Sequence, residues 1–180
     1  LICTPGTYKW HKWEGASRCT ACLGGKYSPG EDATECTPCA EGSYANSEGS
    51  SACTQCPPGS YSFAEGSVSC LLCPAGTYSS TTGLSRCVQC SAGKYLASIG
   101  ATSASACSAC DPGYFAPSSG HTSCTPCSSG KFSGSIGAEE CLDCSLGKYA
   151  SSHANSACTE CARGFYSDDS GASQCASCYP

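Results

Sequence analysis

The sequence predicts a small disulfide-rich fold, in which tandem repeats of about 17 residues form short β-strands and turns, with little or no helix, along an elongated rod. Three observations lead to this fold class. The chain has 21 Cys among 180 residues, a share typical of secreted disulfide scaffolds. Its Cys residues recur in evenly spaced pairs. Leu, Ile, Val and Phe together number only 17, too few for a core of ordinary size.

The Cys pairs set the period of the chain. Ten Cys-x-x-Cys pairs follow one another, and successive pairs begin 17 residues apart except for one step of 20. A period kept this strictly indicates one structural unit copied in tandem. We therefore predict one tandem array of about ten repeats over residues 1–180, with an elongated loop at residues 91–106. The pairs begin at Cys19, Cys36, Cys53, Cys70, Cys87, Cys107, Cys124, Cys141, Cys158 and Cys175.

Two glycines and an aromatic residue recur at fixed distances from the Cys pairs. The turn glycine, three residues after the second Cys, predicts a turn with positive φ. The ring two residues later predicts a very short strand, and we expect it to pack on a disulfide or on the next repeat. The loop glycine, ten residues after the same Cys, predicts a reversal toward the next pair. The turn glycines are Gly6, Gly25, Gly42, Gly59, Gly76, Gly93, Gly113, Gly130, Gly147 and Gly164; the rings are Tyr8, Tyr27, Tyr44, Tyr61, Tyr78, Tyr95, Phe115, Phe132, Tyr149 and Tyr166; the loop glycines are Gly49, Gly66, Gly83, Gly100, Gly120, Gly137 and Gly171.

Some repeats depart from this pattern. Trp13, Asp32 and Ala154 stand where a loop glycine is expected. The first loop is two residues longer than the standard one and holds both Trp residues, Trp10 and Trp13, beside two Lys. Exposed Trp beside cations is typical of contact hot spots, so these are candidate contact residues, although Trp13 would equally cover its own disulfide. The loop at residues 91–106 either marks a lateral contact or bend, or is an inert insertion.

The period also suggests a disulfide pairing. Cys3 has a turn glycine and a ring at the usual spacing, so we expect its first-Cys partner position to precede Leu1. Joining each second Cys to the first Cys of the next pair leaves only Cys178, whose partner we expect beyond Pro180. The bonds predicted in this way are Cys3–Cys19, Cys22–Cys36, Cys39–Cys53, Cys56–Cys70, Cys73–Cys87, Cys90–Cys107, Cys110–Cys124, Cys127–Cys141, Cys144–Cys158 and Cys161–Cys175.

Other cysteine chemistry stays open at this point. Bonds that cross between neighbouring pairs, as in furin-like modules, would group the repeats in twos. Bonds inside each Cys-x-x-Cys would resemble those of redox enzymes. Pairs separated by 13 residues also resemble zinc ribbons. The uniform spacing and the secreted type of composition favour the sequential bonds, so we expect no metal and no cofactor.

Several function classes lack the residues they need. The net charge is −5, and positive and negative residues are scattered along the chain without a basic stripe, so we expect no nucleic-acid partner. The sequence contains no run of 18 apolar residues, so we expect no membrane span in this fragment. No catalytic constellation is recognisable, and we expect no enzyme. The scattered His residues and acidic steps are interpreted as exposed loop residues: His11, His121, His153, Glu139-Glu140 and Asp168-Asp169.

One repeat carries a family resemblance with particular clarity. The unit Cys73-Pro-Ala-Gly-Thr-Tyr-Ser-Ser-Thr-Thr-Gly-Leu-Ser-Arg-Cys87-Val-Gln-Cys90 resembles the ephrin-receptor-like cysteine-rich repeat, and Cys56-Pro-Pro-Gly-Ser-Tyr-Ser fits as well. The resemblance covers essentially the whole chain and extends, more distantly, to EGF-like and tumour-necrosis-factor-receptor modules. It implies an extracellular setting, disulfides, and a spacer, adhesion or ligand-binding role, with no catalytic residues to carry over.

The regular surface then favours one function over another. We expect a non-catalytic structural rod of an extracellular filament, coat or cell-surface appendage, with neighbouring copies or other extracellular proteins as lateral partners. The alternative is the ectodomain stalk of a receptor or adhesin that binds a protein ligand. A metal-binding or redox protein is the third hypothesis. Loops rich in Ser and Thr, such as that at Thr81-Thr82, are candidate sites for O-linked glycans, whereas the sequence has no Asn-x-Ser/Thr sequon.

Overall fold

The computed structural model describes residues 2–12, 16–31 and 33–178. Over these residues the chain is disulfide-rich, has almost no helix, and repeats a short two-stranded hairpin about every 17 residues. This confirms the predicted disulfide-rich fold of tandem repeats with short strands and almost no helix. Contacts divide the chain into two compact units, Leu1–Val88 with Ile99–Ala104, and Gln89–Ser98 with Ser105–Pro180.

All strands except the first two are only two residues long. Each repeat contributes a strand at its ring and a second strand between the two cysteines of the next pair. The strands are β1 Thr7–Lys12, β2 Ala16–Ala21, β3 Lys26–Tyr27, β4 Thr37–Pro38, β5 Ser43–Tyr44, β6 Thr54–Gln55, β7 Ser60–Tyr61, β8 Leu71–Leu72, β9 Thr77–Tyr78, β10 Val88–Gln89, β11 Lys94–Tyr95, β12 Ser108–Ala109, β13 Tyr114–Phe115, β14 Thr125–Pro126, β15 Lys131–Phe132, β16 Leu142–Asp143, β17 Lys148–Tyr149, β18 Thr159–Glu160, β19 Phe165–Tyr166 and β20 Ala176–Ser177.

The hairpins share one register. The ring of a repeat lies directly opposite the residue that follows the first Cys of the next pair, as Tyr61 opposite Leu71 in β7–β8 and Phe132 opposite Leu142 in β15–β16. Aromatic residues opposite β-branched or large apolar residues are favourable cross-strand pairs. This explains why Thr, Val and Leu are frequent at that position, between the two cysteines.

Each hairpin begins at a tight turn built on the turn glycine. In residues 57–60, the Ser60 amide donates to the Pro57 carbonyl at 3.1 Å, and Gly59 has a φ of 81°. A positive φ at the third residue, after a Pro at the second, is typical of a type II β-turn. The Cys73 amide then donates to the Gly59 carbonyl at 2.9 Å and closes the hairpin.

Backbone hydrogen bonds join each repeat to the next. The Gly25 amide donates to the Ala45 carbonyl, and the Gly49 amide returns a bond to the Cys22 carbonyl, both at 2.8 Å. Because these bonds use only main-chain atoms, they leave most side chains free to vary. The same pair of bonds recurs from Gly42 to Ser62 and from Gly66 to Cys39 in the first unit, and from Gly130 to Ala150 and from Ala154 to Cys127 in the second.

Seven of the turn glycines also contact the repeat after next. A Cβ atom built on Gly25 would overlap the carbonyl oxygen of Gly66, two repeats further along. Glycine is thus required at these positions by space as well as by the positive φ. The corresponding pairs are Gly6 with Gly49, Gly42 with Gly83, Gly59 with Gly100, Gly93 with Gly137, Gly113 with Ala154, and Gly130 with Gly171.

The core consists of half-cystines and small residues. Cys3 and the second Cys of eight pairs have at most 1% of their surface exposed, and the residue after the ring is buried in eight repeats as well. The rings themselves are only half-buried or exposed, so the small residue after the ring, rather than the ring, fills the core. The buried cysteines are Cys3, Cys22, Cys39, Cys56, Cys73, Cys90, Cys110, Cys127 and Cys144, and the buried residues after the rings are Ser28, Ala45, Ser62, Ser79, Leu96, Ala116, Ser133 and Ala150.

Where a repeat departs from the consensus, its structure changes only near the departing residues. The first loop becomes a longer hairpin, β1–β2, with six paired residues on each strand. The insertion in the loop at residues 91–106 follows Gly100 and includes a 3-10 turn, Ala104–Ala106. Ala154 takes the φ of a loop glycine, at 60°. Trp13 and Asp32 lie outside the described residues.

The packing against the repeat after next gives a matched pair of substitutions. Gly130 and Gly164 have φ values of 84° and 85°, but only the Cβ of a Gly130→Ala variant would meet a neighbour, the carbonyl of Gly171. We expect Gly164→Ala to cost about 1–2 kcal/mol from φ alone. Gly130→Ala should cost about 1–3 kcal/mol more because a backbone carbonyl has to move. Urea unfolding with the disulfides intact measures both, and equal losses would contradict the steric argument.

Ala154 offers the reverse substitution. Its positive φ is unfavourable for a residue with a Cβ, so Ala154→Gly should stabilise the second unit by about 0.5–1 kcal/mol. The control is Ala157→Gly, an exposed Ala with ordinary φ in the same repeat, which should lose a similar amount through the greater freedom of the unfolded chain. Thermal melting would speak against the interpretation if both variants shifted in the same direction.

Candidate functional site

Disulfide bonds occupy twenty of the cysteines in the structure. They join each second Cys to the first Cys of the next pair, at Cα–Cα distances of 5.5 to 5.8 Å. Cys178 is free and exposed. The bonds are Cys3–Cys19, Cys22–Cys36, Cys39–Cys53, Cys56–Cys70, Cys73–Cys87, Cys90–Cys107, Cys110–Cys124, Cys127–Cys141, Cys144–Cys158 and Cys161–Cys175.

The remaining polar candidates stay apart. Among the described residues, no three His, Cys, Asp or Glu side chains are grouped so that they would hold a metal ion. The His121 Nε2 lies 3.2 Å from the Ser118 hydroxyl, whereas His153 is exposed. Thr81 and Thr82 are exposed, and the Thr82 hydroxyl donates to the Gln55 side chain at 2.9 Å. The residues Glu139, Glu140, Asp168 and Asp169 are exposed, and His11 lies in β1.

The β1–β2 hairpin places one candidate contact residue on the surface. Trp10 is 44% exposed and lies directly opposite Arg18, which is also exposed. An aromatic ring beside a guanidinium group is suited to contacts with a partner, because both groups contribute strongly when a partner excludes water. The second candidate, Trp13, lies outside the described residues.

The structure adds an apolar patch that the sequence reasoning missed. The patch consists of Phe63, Val68 and Leu71, with exposed fractions of 63%, 54% and 48%, which line one depression of the surface. The Phe63 ring lies against the Tyr61 ring, at a centroid distance of 6.3 Å. The signal was present in the sequence, since one repeat combines three large apolar residues at positions that are mostly polar or small elsewhere.

The second unit carries a shallow cleft beside each of three successive rings. The clefts at Tyr95, Phe115 and Phe132 have volumes of about 290, 420 and 550 Å³. Lysines line two of them, and these lysines are engaged across their hairpins. The Lys131 ammonium lies 2.7 Å from Asp143, and that of Lys148 lies 3.5 Å from Glu160. Exposed ion pairs of this kind contribute little to the free energy of folding. We interpret the clefts as spaces between repeats.

The comparisons with known proteins place these features in a family. The sequence profile of the family described as tyrosine-protein kinase ephrin type A/B receptor-like matches residues 25–69, 59–107 and 104–144, which together span two thirds of the chain. No curated protein sequence matches the chain significantly. Within the described residues, no helix has the length and apolar character that a membrane crossing requires. The family matches and the ten disulfides agree in pointing to an extracellular or secreted location. The chain therefore belongs to the ephrin-receptor-like family of cysteine-rich repeats.

Proposed function

We propose that the chain is a non-catalytic structural rod of an extracellular filament, coat or cell-surface appendage. The observation that supports this most directly is that the repeated residues serve to hold the repeats together. Most of the second cysteines are buried, and most of the turn and loop glycines contact or hydrogen-bond to neighbouring repeats of the same unit. Repeats of this family are typically non-catalytic, and the residues that define them here are committed to holding the array together.

The energetics of one repeat favour such an array. Each disulfide links cysteines 14 to 17 residues apart, and a loop of about 15 residues contributes roughly 3 kcal/mol in the chain-entropy model. Ordering the backbone of one repeat costs far more than this, at about 1–2 kcal/mol per residue. A repeat is therefore stable only beside its neighbours, which suits a protein whose role is to extend over distance.

A second function is favoured by the family itself. Ephrin-receptor-like repeats are receptor-type extracellular modules, so the chain also suits the ectodomain stalk of a receptor or adhesin. In that case the exposed Trp10 and the apolar patch would contact a protein ligand. The sequence of the full-length protein separates the two functions. A membrane anchor or a separate adhesive domain would favour the stalk, and the absence of both would remove it.

Disulfide mapping tests the covalent framework of this proposal. Digestion without reduction should give cross-linked peptides joining each second Cys to the first Cys of the next pair, and alkylation should label Cys178 alone. Reduction should unfold the chain, because little hydrophobic core remains without the bonds. Peptides that link Cys36 to Cys53, or Cys36 to Cys39, would contradict the sequential framework. Bound zinc with free thiols at the pairs would favour the metal-binding alternative.

Electron microscopy and sedimentation test the structural role. The 180-residue chain should associate into linear assemblies whose length grows with concentration. Small-angle scattering of the dissociated chain should show an elongated particle. A protein that stays monomeric and unbound at every concentration would overturn the filament proposal, and a compact scattering profile would overturn the rod.

A further inference from the structure

Charge is segregated along the first unit. Residues 27–85 contain six acidic residues and no Lys, Arg or His, whereas residues 7–26 contain four basic residues and one acidic residue. The basic segment is the β1–β2 hairpin with the strand that follows it. The acidic residues are Glu31, Asp32, Glu35, Glu41, Glu48 and Glu65, and the basic residues are Lys9, Lys12, Arg18 and Lys26.

The apolar patch lies in the acidic segment, and the fold does not require its apolar character. All three side chains are about half exposed or more, and other repeats form the same hairpin with polar residues at these positions. Exposed apolar residues gathered in one place mark a contact site, because their burial in a partner remains favourable. The equivalent residues include Ser80 and Ser151 for Phe63, Ser51 and Ser85 for Val68, and Thr37 and Thr54 for Leu71.

A cleft lies within this patch. Phe63, Val68 and Leu71 line a depression of about 350 Å³, and Glu65 is the one charged residue among those that line it. Ligand pockets begin at roughly 300 Å³, so the cleft has room for one large side chain. It therefore combines an apolar wall with a single negative charge.

The β1–β2 hairpin carries the complementary groups. It presents the exposed Trp10 directly opposite the exposed Arg18, an apolar ring beside a positive charge. Hairpin and cleft are exposed at the same time in the isolated chain, so neither is covered by the other within one molecule. Complementary charge steers association and sets which surfaces meet.

We propose that the β1–β2 hairpin of one copy docks on the apolar patch of a second copy, with Trp10 in the cleft and Arg18 beside Glu65. The inference rests on the proposed function and specifies its assembly contact. A contact between two different surfaces of the same chain is heterologous, so each copy offers one hairpin and one patch, and open chains form where the rotation between copies does not close a ring. Three apolar side chains make a small interface, so each contact is weak and the assembly depends on concentration.

Sedimentation velocity of the native chain and of substituted chains over a concentration series tests this contact. Phe63→Ser and Leu71→Thr install residues found at the equivalent positions of other repeats, so they should preserve the fold and weaken association at least about tenfold. Trp10→Ala should weaken it similarly. Ile136→Ser is the matched control, because Ile136 is 72% exposed, lies outside the patch and has a Ser at the equivalent position of another repeat.

Charge reversal tests the pairing of the two surfaces. Arg18→Glu and Glu65→Lys should each weaken association, and the double variant should restore it. Association should also fall between about 0.1 M and about 1 M salt, where the Debye length shortens from roughly 10 to 3 Å.

The outcomes separate this contact from the wider proposal. If the native chain assembles and the patch and hairpin variants assemble equally well, the docking contact is wrong and the filament proposal stands. If the Ile136→Ser control loses association as much as Phe63→Ser, the contact is likewise wrong. If the native chain does not assemble at any concentration, both proposals fall.

Discussion

The close approach between a turn glycine and a carbonyl two repeats further along is the contact on which the array depends. It fixes the distance between successive layers of backbone, as at Gly25 and Gly66. At that distance the main-chain bonds between neighbouring repeats reach 2.8 Å, and one half-cystine of nine of the ten disulfides is fully enclosed. A side chain at the turn glycine would separate the layers, so the bonds and the enclosure would be lost together.

This contact explains how so few large apolar residues suffice. Because the layers lie close together, a Ser or Ala after the ring is large enough to fill the interior, as Ser79 and Ala116 do with no exposed surface. The buried hydroxyls are satisfied locally, as when Ser79 donates to the Thr81 carbonyl at 3.0 Å. Rings and large aliphatic residues are then left at the surface, where they are available for contacts with partners.

The regular interior and the irregular surface have separate consequences for function. The same kind of interior recurs from one repeat of the array to the next, which supports a structural role. The surface changes from repeat to repeat, and in the first unit it combines a basic hairpin with an acidic, apolar segment. A partner would therefore meet a distinct surface on a uniform framework, and the assembly contact that we propose uses residues such as Trp10 and Phe63 that the framework does not need.

The sequence by itself determined the period, the fold class and the positions of the glycines, because disulfides and positive φ angles impose strict spacing on the residues that provide them. Only the tertiary structure showed that the turn glycine is needed for contact with the repeat after next, that Ala154 adopts a glycine conformation, and that the ring is not the core residue. It also gathered Phe63, Val68 and Leu71 into one patch. These features depend on distances between repeats, and a linear pattern of residue types carries no information on how closely two backbones approach.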